Sequence, residues 1–252
     1  MEAKQKLENS YVQDYYDAHV GKLDETYEQS RWHASIAGEF DYRQTSRALD
    51  RALGTRVYDT AIEIGPGDGV WTKKLETRVS GALHLVEQSQ EMLEQAKQRL
   101  RDNKDITFEQ SDWMGANPPE GVDLIFAIRC FEYFSDKQAS LLKMFNALRP
   151  GGRLILVTKN ADLYTTANVQ GRTLHSDQVT KQQMEALLAN TGFSVRCVYP
   201  ATFRWKVKYA LMRIFFDTLH RFLILTKGVV PIPILEKYAT ESYVYVASRP
   251  KI

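Results

Sequence analysis

The chain has 252 residues, 44% of them hydrophobic and 25% charged, with a net charge of +2. This composition fits one globular α/β domain with an appendage, and it excludes a disordered chain or a molecule-wide polyanion binder. The two cysteines, Cys130 and Cys197, form no Cys-x-x-Cys, which excludes a disulfide framework and leaves no metal site to expect.

Charge is unevenly spread. Residues 1–50 hold 6 basic and 10 acidic side chains, a net of −4, whereas residues 201–252 hold 9 and 3, a net of +6. No apolar leader and no long uncharged apolar run is present, so a cytoplasmic setting is expected, membrane-peripheral at most.

In chain order, residues 1–50 read as polar, aromatic helices carrying Tyr15, Tyr16, Tyr27 and Trp32. Strand and helix patterns then alternate. Strands are predicted over 57–64, 82–86, 106–109, 122–128, 153–158, 193–199 and 242–248. Helices are predicted over 70–78, 89–101, 136–148 and 180–190. Such alternation specifies an α/β fold with a mostly parallel sheet and helices on both faces.

Between strand 57–64 and the next helix stands Glu63-Ile64-Gly65-Pro66-Gly67-Asp68-Gly69. Glycine tolerates positive φ and lets a ligand approach the backbone. The carboxyl end of such a strand is where an open α/β sheet binds nucleotide-like ligands. Val70-Trp71-Thr72 follows, not the Gly-Lys-Ser/Thr of a triphosphate loop. The third glycine also comes one residue early for a dinucleotide fingerprint. Glu87, 18 residues beyond Gly69, ends the second strand, where a carboxylate can accept from two ribose hydroxyls. Asp112-Trp113 ends the third strand, an acceptor for an adenine amine beside an aromatic ring.

These residues, with Leu148-Arg149-Pro150-Gly151-Gly152-Arg153-Leu154 before the fifth strand, resemble the motifs of the class I S-adenosylmethionine-dependent methyltransferases over roughly residues 50–200. The resemblance implies a Rossmann-like, seven-stranded, mostly parallel sheet with an antiparallel last strand, and S-adenosyl-L-methionine as cofactor. It further implies a cofactor site drawn from Glu63, Gly65, Gly67, Gly69, Glu87, Gln88, Asp112, Trp113 and Arg129, with Pro150-Gly151-Gly152 as a turn feeding a buried strand.

Substrate meets cofactor beyond the strand ends. Tyr15, Tyr16, Glu132, Tyr133 and Arg204 are the expected substrate contacts. Phe131 and Phe134 read as packing residues. For proton removal the expected base is His175, with His33 second; His19, His84 and His220 read as structural or exposed. Residues 1–50 form the expected helical lid, 51–200 the core, 201–241 a helical insertion and 242–252 the last strand. Within the insertion, Lys206, Arg213, Asp217, His220 and Arg221 share one helical face. The stretch 205–225 is thus a basic amphipathic segment able to touch an anionic membrane, a substrate or the second subunit of a homodimer.

The expected activity is methyl transfer to a small or lipid-like acceptor, by preference O-methylation, with no nucleic-acid partner favoured. The alternatives are an RNA or protein methyltransferase on the same fold and a non-catalytic, membrane-associated cofactor-binding subunit.

Overall fold

The computed structural model describes residues 9–23, 26–162, 178–203, 215, 218–219, 222 and 240–251. His175, Arg204 and nearly all of 205–225 lie outside the described residues.

Helix α1 (Asn9–Val20), a π-helical turn (Gln29–His33) and helix α2 (Ile36–Leu53) precede the sheet. The α2 helix starts where the Ser35 side chain accepts from the Gly38 N–H and stops at Gly54, a capped start and a glycine stop. Alternation then follows: β1 (Ala61–Ile64), α3 (Thr72–Leu75), β2 (Leu83–Glu87), α4 (Gln90–Arg99), β3 (Ile106–Gln110), β4 (Val122–Ile128), a single 3₁₀ turn (Phe131–Tyr133), α5 (Lys137–Ala147), β5 (Leu148–Lys159), α6 (Lys181–Thr191), β6 (Ser194–Phe203) and β7 (Thr240–Ser248).

The sheet has seven strands in the order β3-β2-β1-β4-β5-β7-β6. Strands β1 to β5 pair in parallel, and β7 runs antiparallel between β5 and β6. The expected architecture is therefore the observed one. Every residue of β4 except Asp123 is buried, as a central parallel strand covered on both faces requires. Leu85, Leu124, Phe126 and Ile155 pack on one face of the sheet with Leu49 and Leu53 of α2. Ile62, Ile125, Leu154 and Leu156 pack on the other with Leu141 and Met144 of α5.

Boundaries depart from expectation in four main places. The strand predicted over 57–64 starts only at Ala61. The helix predicted over 70–78 shrinks to Thr72–Leu75, since it abuts the glycine turn. Strand β5 starts at Leu148, with a register shift against β4 between Val122 and Leu124. The Pro-Gly-Gly segment is thus an irregularity inside a strand, not a turn before it. Strand β6 runs on to Phe203 and β7 begins at Thr240, so the connection between them is shorter at both ends than the predicted insertion.

With β1 and β4 adjacent at the centre, the carboxyl ends of β1, β2 and β3 lie to one side of the β1/β4 junction and that of β5 to the other. This order divides the rim of the sheet into two halves.

Candidate active site

A cavity of about 500 Å³ opens over the carboxyl ends of the central strands, a volume typical of small-ligand sites. Its first half is built on β1, β2 and β3. Gly65, Pro66 and Gly67 line it. Gly65 and Gly67 hold φ of +64° and +58°, the left-handed region that favours glycine. A side chain at Gly65 would run into the Cys130 Cβ at 2.6 Å. A side chain at Gly67 would meet only the Met92 Sδ, at 3.9 Å. The space above Gly67 is cavity, so this backbone stands bare toward a ligand.

Glu87 ends β2 beside that turn. Its Oε2 accepts from the Gly67 N–H at 3.0 Å and its Oε1 from the Ser89 N–H at 3.0 Å. Burial raises its pKa, against the lowering effect of these backbone donors. Each oxygen keeps a lone pair for a ligand hydroxyl. Gln88 lines the cavity next to it. At the end of β3, Asp112 caps the following turn through Oδ1, which accepts from the Met114 and Gly115 N–H groups. Its Oδ2 accepts no hydrogen bond among the described residues. Trp113 reaches the cavity as well, but its indole is buried, with Nε1 donating to the Ser140 carbonyl at 3.1 Å. It is a wall element anchored in the core.

Two expected cofactor contacts lie behind the wall. Glu63 points into the α3 side of the sheet, is 1% exposed and does not line the cavity. Burial lifts its pKa to about 8, and its Oε2 has no hydrogen-bond partner among the described residues. Gly69 is also absent from the lining. A Cβ there would stand 3.2 Å from the Leu100 Cδ1, so it is glycine to let α4 pack close.

The second half lies past β4 and β5. Arg129 follows β4 with φ of +61°, the one described non-glycine residue in that region. The turn sends its side chain along the cavity, its Nε 3.5 Å from Glu132 Oε1. Glu132, 2% exposed, also accepts from the Thr158 Oγ1 at 3.2 Å. The Tyr133 and Tyr16 hydroxyls meet at 2.7 Å, joining α1 to the 3₁₀ turn. Burial raises the pKa of both tyrosines well above the usual value, so both stay neutral. Tyr15, Tyr16, Tyr27 and Trp32 line the cavity from the N-terminal helices. Phe131 is fully buried and packs as expected, whereas Phe134, which meets it edge-on at 5.5 Å between centroids, also lines the cavity.

The histidines fall differently from expectation. His33 is held by two carboxylates, Nδ1 at 2.6 Å from Glu39 Oε2 and Nε2 at 3.6 Å from Glu28 Oε1, and does not line the cavity. It is no proton acceptor for a ligand there. His19, set aside in the sequence, lines the cavity and stacks on Tyr15. Two cations were missed altogether. Lys159 closes β5, lines the cavity and is 8% exposed. Burial lowers its pKa to about 7, helped by the nearby Arg129 charge and offset by Glu132 and Glu241. Arg31 enters from the π-helical turn, its guanidinium 4.2 Å over the Trp32 ring. The signal for Lys159 was its place at a strand's carboxyl end. Arg31 gave none.

Comparison with known proteins agrees with this layout. Residues 61–152 match a family described as a methyltransferase domain. The malonyl-[acyl-carrier protein] O-methyltransferase 1 of Ilyobacter polytropus is 27% identical over 42% of this chain and 40% of its own length. The trans-aconitate 2-methyltransferase of Sinorhizobium fredii is 32% identical over 49% of this chain and 48% of its own. The chain thus spans about half the length of these relatives. The N-methyltransferase NodS of Bradyrhizobium japonicum, solved with S-adenosyl-L-homocysteine, superposes with a TM-score of 0.66 at 14% identity, covering 97% of this chain and 100% of that one. A glycine-bared strand end in a seven-stranded sheet of this order defines a nucleoside-binding Rossmann-like enzyme. Residues 61–152 thus match a methyltransferase domain, and the chain is similar in fold to S-adenosylmethionine-dependent methyltransferases.

Proposed function

We propose that this protein transfers the methyl group of S-adenosyl-L-methionine to an oxygen of a small or lipid-like acceptor. The observation that carries the reading is the two-part cavity, with a bare glycine turn and a strand-end carboxylate in one half and a tyrosine-roofed pocket in the other. In the first half, Gly65 and Gly67 cradle the amino-acid portion, Glu87 takes the ribose hydroxyls, and Asp112 Oδ2 takes the adenine amine beside Gln88 and the Trp113 edge. Bound there, the cofactor supplies an electrophilic methyl on a sulfonium whose leaving group is a neutral thioether.

The chain's own residues then orient the acceptor and exclude water. The α1 helix and the π-helical turn supply the aromatic roof, as a lid does. Tyr15, Tyr16, Glu132 and Tyr133 line the cavity and are assigned to the acceptor; Arg204, outside the described residues, is assigned with them from the sequence alone, and Arg129 keeps its expected place beside the cofactor. A hydroxyl acceptor loses its proton as the new O–C bond forms, and His175 is the residue we assign to take it.

The names of relatives support a small acceptor: malonyl-[acyl-carrier protein], trans-aconitate and demethylmenaquinone. Of these three, the malonyl-[acyl-carrier protein] enzyme is named as an O-methyltransferase. A roofed cavity of this volume favours a small molecule over a polymer strand.

The test uses methyl-labelled cofactor and a cell extract. Label should enter small-molecule products. Label confined to RNA or protein would overturn the acceptor class, and no heat of binding with either the cofactor or its demethylated product would overturn the activity. His175→Ala should lower turnover at unchanged cofactor affinity, and full turnover would remove it as the base.

A further inference from the structure

Asp112, the carboxylate after β3, does not hold its place alone. Residues 112–116 make one helical turn, closed by the Ala116 N–H on the Asp112 carbonyl at 3.0 Å. A single turn is unstable by itself, because fixing its dihedrals costs more than one hydrogen bond returns. This one is held at both ends. At its start, Asp112 Oδ1 accepts from the Met114 and Gly115 N–H groups at 2.8 and 3.0 Å, as an N-cap does. At its end the carbonyls have no next turn to bond, and Lys143 meets them instead.

Lys143 stands on α5, between 27 and 30 residues further along the chain than the groups it binds. Its Nζ donates to the Trp113, Met114 and Ala116 carbonyls at 2.7, 3.0 and 2.6 Å. An ammonium has three N–H donors, and here all three go to one turn. The same Nζ stands 5.0 Å from the centre of the Trp113 ring, within reach of its π face. Partial burial lowers the Lys143 pKa, and the Glu109 and Asp112 carboxylates oppose this. One helical turn earlier on α5, the Ser140 carbonyl accepts from the Trp113 indole N–H at 3.1 Å. The α5 helix therefore grips the 112–116 turn at two points. Asp112, Trp113 and Met114 line the cavity and Lys143 does not. A carboxylate is planar, so with Oδ1 committed to the turn, the tilt of the turn decides where Oδ2 stands.

Resting on the methyl-transfer reading above, we propose that Lys143 is a positioning residue for nucleobase selection. By locking the 112–116 turn from outside the cavity, it aims Asp112 Oδ2 at the exocyclic amine of adenine. It touches no ligand and acts through Asp112.

The protein is titrated calorimetrically with S-adenosylhomocysteine and with S-inosylhomocysteine, which carries an oxygen in place of the amine. Wild type should prefer the adenosyl ligand at least tenfold, since a site built to bond a group rejects the analogue that lacks it. Lys143→Met should narrow that preference to below threefold, and Lys143→Arg should restore most of it. A purely structural loss would weaken both ligands alike and keep the ratio. In an Asp112→Asn background, Lys143→Met should change the adenosyl affinity by less than twofold. Should Lys143→Met fail to fold, Lys143→Gln, with two donors for three carbonyls, carries the same expectation. A wild-type preference kept in the variant, or a tenfold preference missing from the wild type, would overturn the assignment. Binding of neither ligand to the wild type would overturn the methyl-transfer reading and the assignment with it.

Discussion

Gly65 and Gly67 share a backbone conformation and differ in what surrounds them. At Gly65 a methyl group would overlap Cys130, so Gly65→Ala carries both left-handed strain of about 1–2 kcal/mol and a steric clash. At Gly67 the strain is similar but the space is open. Gly67→Val should therefore fold, with a modestly lower melting temperature, and lose affinity for the cofactor product at least tenfold. Calorimetry on the folded variant checks it, and unchanged affinity would mean that the bare turn is not the cradle. Glu63 poses the opposite case, a buried acid with no role in the cavity wall. It is protonated in the fold below about pH 8 and ionised in the unfolded chain above about pH 4.5. Between those values the folded state binds more protons, so this residue makes stability fall as pH rises. Glu63→Gln keeps the shape and removes the titration. Its melting temperature relative to wild type should climb from pH 5 to pH 8 and then level off. A pH-independent difference would show that Glu63 is ionised in the fold.

Among the elements, legibility did not simply track burial: the fully buried β1 starts four residues later than predicted, whereas the mostly unburied β3 came out within one residue. Strands β2, β3 and β4 came out of the sequence within one residue at each end, because apolar runs bounded by turn residues leave little choice. Glu87 and Asp112 were legible for the same reason: a strand end is a place, and a carboxylate there has few uses. Lys159 was missed because a lysine ending an apolar run reads as a solvated terminus. Only the pairing of β5 with β4 and the roof above it show that this one is enclosed. His33 was misread because the carboxylates that hold it, Glu28 and Glu39, are set around it by the π-helical turn, which has no periodic signature. How α1 docks was equally invisible, since it depends on contacts more than 70 residues apart. Asp17 accepts from the Ser89 hydroxyl and the Glu91 N–H, and Tyr16 meets Tyr133. The hydroxyl pair is a neutral hydrogen bond between buried groups, worth about 0.5–1.5 kcal/mol. In a double-mutant cycle, Tyr16→Phe and Tyr133→Phe should each loosen α1, seen as faster amide exchange in residues 12–20. The double variant should exchange little faster than either single one. Fully additive effects would mean that α1 is held by Asp17 and packing alone.

The molecule as a whole joins a seven-stranded sheet, buried at its centre, to a roof tied down by a few long-range hydrogen bonds and by the packing of Val12, Val20 and Trp32. Such a roof belongs to the less stable part of the fold, where lids are drawn from. A ligand filling the cavity would touch the glycine turn, the β2 and β3 ends and the roof together, coupling the two parts. Saturation with S-adenosylhomocysteine at about a hundred times its dissociation constant should add roughly 2.7 kcal/mol by mass action. For a chain of this size that corresponds to a rise in melting temperature of roughly 5–11 °C. Amide exchange in α1 should slow in the same titration, because the roof closes over what it covers. Glu87→Ala removes hydrogen bonds to a charged group worth roughly 1.5–3 kcal/mol each, and at the same ligand concentration should lose most of the rise. Its melting temperature without ligand should change far less, since the Gly67 and Ser89 N–H groups it frees can turn to water. A melting temperature that climbs without any slowing of α1 would separate the cofactor half from the roof, and the N-terminal helices would then be a fixed wall rather than a lid.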